Sequence, residues 1–358
     1  MRIFKENFYV VCFILIIFFV PIIGFFKKDK LFSDYENRIL EQKPAFSLES
    51  FFDKEFQSKF EDYLKDQIIL KNNLVKIKNY SEIMLGKFSV NDVYIGKNDF
   101  YIERHSKKDY DYDLIDSNIN IVNKFKDNYN AEIYLIPNAS TILGKNIRYG
   151  DDINANSILE DIDNISFVDN LLFSYNGNLN DLYYKTDHHW TTIGAYQLYK
   201  NIVDNPIDLD LKIVSNDFHG TINNKLNINM SADTIYVQNS STNFKVIYDL
   251  SEESSSLYSE KYLDKKDKYS YFLDSNHGLI NIENLDINDN HRILIIKDSY
   301  ANCLIPFLAE SYKYVDVIDL RYFNVKISSY LKNLDYDRIL IIYNKDGFMT
   351  NTNLVKLQ

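Results

Sequence analysis

Four short apolar runs limit what this chain can fold into: "AEIYLIP" (131–137), "RILIIK" (292–297), "YVDVIDL" (314–320) and "RILIIY" (338–343). Each is too short for a globular helix, and "RILIIK" and "RILIIY" are too continuously apolar for a strand with one wet face, which would alternate. Such runs are strands buried on both sides, as in sheets covered by helices on two faces. The segments between them carry helical spacing. After "RILIIK" comes "DSYANCLIPFLAESY", and the first run follows a helical pattern over Leu114–Phe125. Strand, helix, strand in alternation predicts an α/β fold with a parallel sheet flanked by helices.

The rest of the 358 residues arranges itself around that sheet. "VNDVYIGKNDFYIE" reads as short strands with turns, and "ISFVD" as a further strand. Thr191 or Thr192 is placed to cap a helix running to about Val203. Residues 204–290 break the rhythm with Asn, Ser and Asp, and hold strand-like pieces such as "DTIYV" and "FKVIY". They read as an inserted β-containing region. Further upstream, Phe52, Phe56, Phe60, Tyr63 and Leu64 recur at three- and four-residue spacing, with Ser47 and Ser50 as N-cap candidates. That stripe predicts a helix packed into a core.

The N-terminus is different in kind. Phe8 to Phe26 carries no charge, is flanked by basic residues and has no small-residue cleavage site after it. Its length is close to the roughly 20 residues that span a bilayer. It predicts an uncleaved signal-anchor, a single transmembrane helix. The expected organisation is an anchor over residues 1–30, a linker over 31–46, and one domain over 47–358 with the insertion at about 204–290. The two cysteines, Cys12 and Cys303, lie far apart, so no disulfide framework is expected. A net charge of -11 without a basic run argues against a nucleic-acid partner.

Chemistry in an open α/β sheet gathers beyond the carboxyl ends of its strands. Ser299 sits there, two residues after "RILIIK", at a strand-to-helix turn that would lift its hydroxyl out of the sheet and aim helix N-terminal N–H groups at an oxyanion. By itself this feature reads first as a helix cap, by Asp298 or Ser299. A serine nucleophile needs a base, and the base needs an orienting partner. The segment "YYKTDHHWTTIGAYQLYK" (183–200) offers both: in extended backbone Asp187 and His189 project to one face. His188 would then point elsewhere and Trp190 would pack against the scaffold. A metal site built on the Asp-His-His cluster and a purely structural histidine pair are the alternatives. His105, His219, His277 and His291 are scattered without ligand spacing, so no metal is expected. Arg321 also follows a strand end. Asn276 in "LDSNHG", Asn138 in "LIPNAS" and Tyr300 beside the serine are further oxyanion or substrate candidates.

Taken together, "KTDHHWT", "DVYIGKNDFYIE", "ILIIKDSYAN" and "VIDLRYF" resemble the DHHW family, which is similar to the SGNH-hydrolase-like proteins of polysaccharide O-acetylation, including the alginate O-acetylation proteins. The resemblance extends over the chain beyond the anchor, through "ENRILEQKPAF" and "YFLDSNHGLINIE". It implies an SGNH-hydrolase-like domain with a triad of Asp187, His189 and Ser299. It also implies a polysaccharide substrate, a membrane-bound O-acyltransferase partner supplying acetyl, and no cofactor. One departure is that "KDSY" lacks the glycine that often precedes Asp-Ser in SGNH hydrolases. The expectation is an O-acetyltransferase, anchored in the cell membrane with its globular part extracytoplasmic. A carbohydrate esterase with the same triad and a non-catalytic polysaccharide-binding scaffold are the rival readings.

Overall fold

The computed structural model describes residues 8, 10–11, 13–15, 18–19, 23–24, 26–33, 38–147, 159, 165–332 and 334–358. The expected anchor lies partly outside them, and so does Cys12. Positions described between Phe8 and Phe26 are helical. No helix among the described residues is long and apolar enough to cross a membrane. The chain divides into two compact units, residues 1–87 with 224–228, and residues 88–223 with 229–358.

The first unit is mainly helical, with a short antiparallel pairing of Phe32–Ser33 with Arg38–Ile39. Ser47 caps Leu48–Phe52 through a reciprocal bond pair with Ser50. Helices α1 (Glu55–Gln67) and α2 (Lys71–Met84) follow. The aromatic stripe expected to be core is not one. Phe52 and Leu64 are exposed, Phe56 and Phe60 half-buried, and only Tyr63 is buried. Neighbouring rings cover each other instead: Phe56 stacks on Phe60 at 5.5 Å and meets Phe46 edge-on at 5.2 Å. Helical spacing specifies a shared face, but what lies over that face is a tertiary matter.

The second unit is built on an eight-stranded sheet. Its strands are β1 (Glu132–Ile136), β2 (Ser166–Phe167), β3 (Phe244–Tyr248), β4 (Glu252–Ser254), β5 (Leu279–Asn284), β6 (Arg292–Lys297), β7 (Tyr314–Ile318) and β8 (Arg338–Asn344). The order across the sheet is β4-β3-β5-β7-β6-β8-β1-β2. β7, β6, β8, β1 and β2 run parallel. β5, β3 and β4 continue the sheet with antiparallel pairing. Part of the expected insertion is therefore the antiparallel flank of the main sheet. Its "FKVIY" and "LINIEN" strands pair Val246 with Ile282 and Ile282 with Val315.

The apolar runs are continuous because each strand feeds two cores. Ile293 and Ile295 of β6 join one cluster, Leu294 and Ile296 the other. The first face is covered by α4 (Thr192–Ile202) and α5 (Ile305–Ser311), through Leu198, Tyr199 and Phe307. The opposite face is covered by α3 (Tyr112–Tyr129), through Ile115, Val122 and Phe125. Side-chain alternation along a strand requires apolar residues at every position when both faces are dry.

Candidate functional site

Segment 183–190 is a bent loop, not the extended strand that the spacing suggested. Tyr183 and Trp190 form an isolated antiparallel bridge and the chain curves from Lys185 to His189 between them. Asp233 holds the entry by accepting from the backbone N–H groups of Lys185 (2.7 Å) and Thr186 (2.8 Å) and from the Thr186 hydroxyl (2.6 Å). At the exit Thr191 caps α4, accepting from the Gly194 N–H. Asp187 and His189 are thus brought together by a tight turn and not by strand alternation: the same carboxylate oxygen takes both the His189 backbone N–H (3.1 Å) and its ring Nδ1–H (2.5 Å).

Asp187 is saturated. Oδ1 accepts the two bonds from His189, and Oδ2 accepts from the Thr221 N–H at 2.8 Å and the Thr221 hydroxyl at 3.1 Å. A carboxylate has about four such positions. Burial alone would raise its pKa, but the two histidine rings and these hydrogen bonds outweigh it and hold the carboxyl well below the usual range. Gly220 makes the enclosure possible, since a Cβ there would sit 2.2 Å from the Asp187 Cβ.

With Asp187 accepting at Nδ1, the proton of neutral His189 is fixed there and Nε2 is left as an acceptor. Ser299 Oγ lies 2.9 Å from that Nε2. Burial, first, and then the neighbouring His188 ring pull His189 down to about 4, against the pull of Asp187. The imidazole is therefore neutral near pH 7, the state in which it can take a proton. Its ring stacks on Tyr269, centroids 3.8 Å apart and planes within 12°. Tyr269 in turn donates to the backbone carbonyl of Ser299 at 3.1 Å. One buried tyrosine thus sets the position of both partners.

Ser299 follows β6 at the start of a five-residue 3-10 turn, Ser299–Cys303, and only Ile305–Ser311 is α-helical. Asp298 caps the turn by accepting from the Tyr300 N–H at 3.0 Å, which takes up one backbone donor expected to face an oxyanion. The same carboxylate accepts from the Asn344 N–H of β8 at 2.9 Å. Burial pushes Asp298 up to about 6.

The remaining candidates lie along the carboxyl edge of the parallel strands. Asn138, after β1, accepts from the Asn344 side chain at 2.6 Å. It lines a cavity of about 40 Å³ with His188, Tyr300 and Asp346. Tyr300 is buried; its hydroxyl donates to the His188 carbonyl and its own carbonyl accepts from Trp190 Nε1 at 2.7 Å. It braces the loop against the serine turn. Arg321, after β7, is committed to Asp319 in a two-pronged pair at 2.9 and 2.6 Å. Asn276 accepts from Asn302 Nδ2 at 3.3 Å. Lys297, the last residue of β6, is fully buried. It donates to Asn302 Oδ1 at 2.6 Å and lies 3.8 Å from Asp319.

His188 was expected to point away from the face shared by Asp187 and His189. It is instead part-exposed, with Nδ1 at 2.6 Å from Thr221 Oγ1 and its ring 3.8 Å from that of His189. Asp187, His188 and His189 present ligand atoms within 4.8 Å of one another. Both His189 nitrogens and the His188 Nδ1 are already engaged in the bonds just given, which suits a proton relay better than a metal. Trp190 is buried, as expected. Cys303 is a buried free thiol that burial pushes up to about 12, too high for a nucleophile. Thr221, Tyr269, Lys297, Asp298 and Asn302 were not among the sequence candidates. Asn302 alone had a signal, standing three residues after the serine in "DSYAN".

A family model described as "DHHW protein" matches residues 164–318, a span that holds Asp187, His189, Asn276 and Ser299 but not Asn138 or Arg321. Among solved structures, a DHHW family protein from Eubacterium siraeum DSM 15702 is 20% identical over 75% of this chain and 95% of that one, with a TM-score of 0.61. Bacillus cereus PatB1 is 19% identical over 74% of this chain and 98% of that one, with a TM-score of 0.59. The same protein with a sulfonyl adduct gives 19%, 73%, 98% and 0.57. At these identities the likeness is one of fold. No curated protein matches the chain.

Proposed function

We propose that this protein is an acyl-transferring serine enzyme, and that it moves acetyl groups onto a polysaccharide. The observation that carries the proposal is His189, whose two ring nitrogens bridge Ser299 Oγ at 2.9 Å and Asp187 at 2.5 Å. In this reading Ser299 Oγ bonds to the acetyl carbon while its proton passes to His189 Nε2. The donor's leaving group departs with that proton. A sugar hydroxyl then attacks the acetyl-serine, gives its proton to His189, and leaves as the ester while the Ser299 hydroxyl is restored. Asp187 orients the imidazole and stabilises its charged form. No metal or cofactor takes part.

The saccharide acceptor rests on the resemblance to the polysaccharide O-acetylation proteins. So does placing the enzyme at the membrane: Phe8–Phe26 as anchor, the sheet unit outside the cytoplasm, and a membrane-bound O-acyltransferase as acetyl supplier. Anchoring would raise the effective concentration of enzyme and supplier for each other. Hydrolysis shares the acyl-enzyme, with water in place of the sugar hydroxyl.

The test is to incubate the full-length protein with a chromogenic acetyl ester, with and without oligosaccharides, and to follow intact mass. A 42 Da adduct on Ser299 (roughly the mass of an acetyl group replacing hydrogen) and acetylated oligosaccharide are expected. Free acetate alone under every acceptor would make it an esterase. No adduct and no turnover, with no labelling by a sulfonyl fluoride, would leave the non-catalytic scaffold.

A further inference from the structure

We propose that Lys297, acting through Asn302, is a positioning residue that turns the side-chain N–H of Asn276 toward the oxyanion formed at Ser299. The inference rests on the acyl-transfer reading and adds to it what orients Asn276, which the sequence offers only as one candidate among several.

The argument is one of donors and acceptors. An amide side chain has an oxygen that only accepts and a nitrogen that only donates, so one fixed partner decides how it faces. The Lys297 ammonium only donates. Its Nζ, 2.6 Å from Asn302, therefore fixes the oxygen of that amide toward itself. Asn302 Nδ2 is thereby committed to the other side, where it meets Asn276 Oδ1 at 3.3 Å. With its oxygen on Asn302, Asn276 keeps its own Nδ2 as a donor, and no acceptor for that nitrogen is found among the described residues. Three side chains set in series convert a buried positive charge into an available N–H pair.

The location fits. Ser299 and Asn302 stand three apart in a 3-10 turn, and side chains at that spacing eclipse one another. Asn302 is 2% exposed and Ser299 half-buried, so the shared face of the turn runs from the site into the interior. Hydrogen bonds in series polarise each other in a low-dielectric interior, so the lysine charge strengthens the terminal N–H as a donor. Burial pulls the Lys297 ammonium below its usual value, and Asp319, 3.8 Å away and itself held by Arg321, opposes that pull and favours the charged form. Asn138, the other amide candidate, has its oxygen taken by Asn344 from a different strand and is not part of this series.

Asn302→Asp separates this from mere structural support. It keeps an acceptor for Lys297 and nearly the same shape, but removes the donor to Asn276. Acetyl transfer from the chromogenic ester is measured on the full-length chain for the wild type, Asn302→Asp, Asn276→Ala, Lys297→Met and the Asn302→Asp/Asn276→Ala pair. Thermal melting and labelling of Ser299 by a sulfonyl fluoride are followed in parallel. Each single variant is expected to lower kcat by about 10²- to 10³-fold with KM little changed, as for loss of one oxyanion donor. The double variant should be no slower than the slower single, because both act on one N–H. The acid limb of the pH profile, set by His189, should stay where it is. If Asn276→Ala keeps its rate while Ser299 still takes the label, the relay is overturned and the serine chemistry stands. Fully additive losses would also overturn it. If wild-type Ser299 accepts neither reagent, the acyl-transfer reading fails and the relay with it.

Discussion

Ser299 has two flanks, and each is organised by one buried charge of opposite sign. On one side Asp187, a group that only accepts, collects four hydrogen bonds and fixes the tautomer of His189. On the other side Lys297, a group that only donates, fixes the amide of Asn302 and through it Asn276. Ionised groups are well suited to this because they cannot exchange donor and acceptor roles, whereas hydroxyls can rotate and unanchored amides can flip. The two flanks differ in how they are built. The anionic flank is local, with acid and base two residues apart in one loop. The cationic flank draws on the end of β6, the turn after it and a loop more than twenty residues upstream.

The comparison can be tested by breaking one flank at a time, and the largest effect is expected at the atom they share. Ser299→Ala should cost on the order of 10⁶ in acyl-transfer rate and abolish sulfonyl labelling. Activity near wild type would remove Ser299 from the mechanism. Next comes Asp187→Asn, expected to cost about 10⁴-fold in kcat, because an amide can donate toward Nδ1 and favour the wrong tautomer. That is more than the loss expected for Asn302→Asp on the other flank; equal losses would mean the flanks contribute alike.

Gly220→Ala tests the enclosure of Asp187 without touching its chemistry. A Cβ placed 2.2 Å from the Asp187 Cβ forces the loop to move. A loss of about 1–3 kcal/mol in stability is expected in denaturant unfolding, together with slower acylation. An unchanged midpoint would show that the loop yields freely.

The pH profile sharpens the anionic flank further. The proposed base acts as neutral imidazole and His189 is pulled down to about 4, so kcat/KM should fall as pH drops through about 4 and stay level above it. A limb near 6.5, the ordinary histidine value, would mean that burial does not act on His189 as the structure implies. The smallest effect is expected for Tyr269→Phe. The ring stack on His189 remains, and what is lost is the hydroxyl's bonding to the Ser299 and Tyr300 carbonyls, about 1 kcal/mol or several-fold in rate.

Several elements were legible before any coordinates. Runs such as "RILIIK" specify strands dry on both faces, and their alternation with helical segments specifies parallel pairing. Ser299 was legible from its place just past a strand end. Asp187 and His189 were legible as a pair, although for a reason the structure replaces: a bend closed by the aspartate's own hydrogen bonds, not alternation along a strand. In the first unit Phe56, Phe60 and Tyr63 were legible as one helix face, yet neither the break at Asp53–Lys54 that sets Phe52 apart nor the exposure of the stripe was.

What the sequence determines by itself is local: periodicity, turn chemistry and pairs of groups a few residues apart, because backbone geometry fixes where such side chains can meet. The tertiary structure decides the rest. Residues 244–284 became the antiparallel flank of the sheet because strand pairing depends on which edge is open when the segment arrives. Tyr269 and Thr221 joined the site because packing carried them there across long loops. Lys297, which in sequence merely ends an apolar run, became a buried cation because strands on either side closed over it. Whether a charged residue at a strand end faces water or is enclosed depends on its neighbours in space, and that decided which way the Asn302 amide is turned.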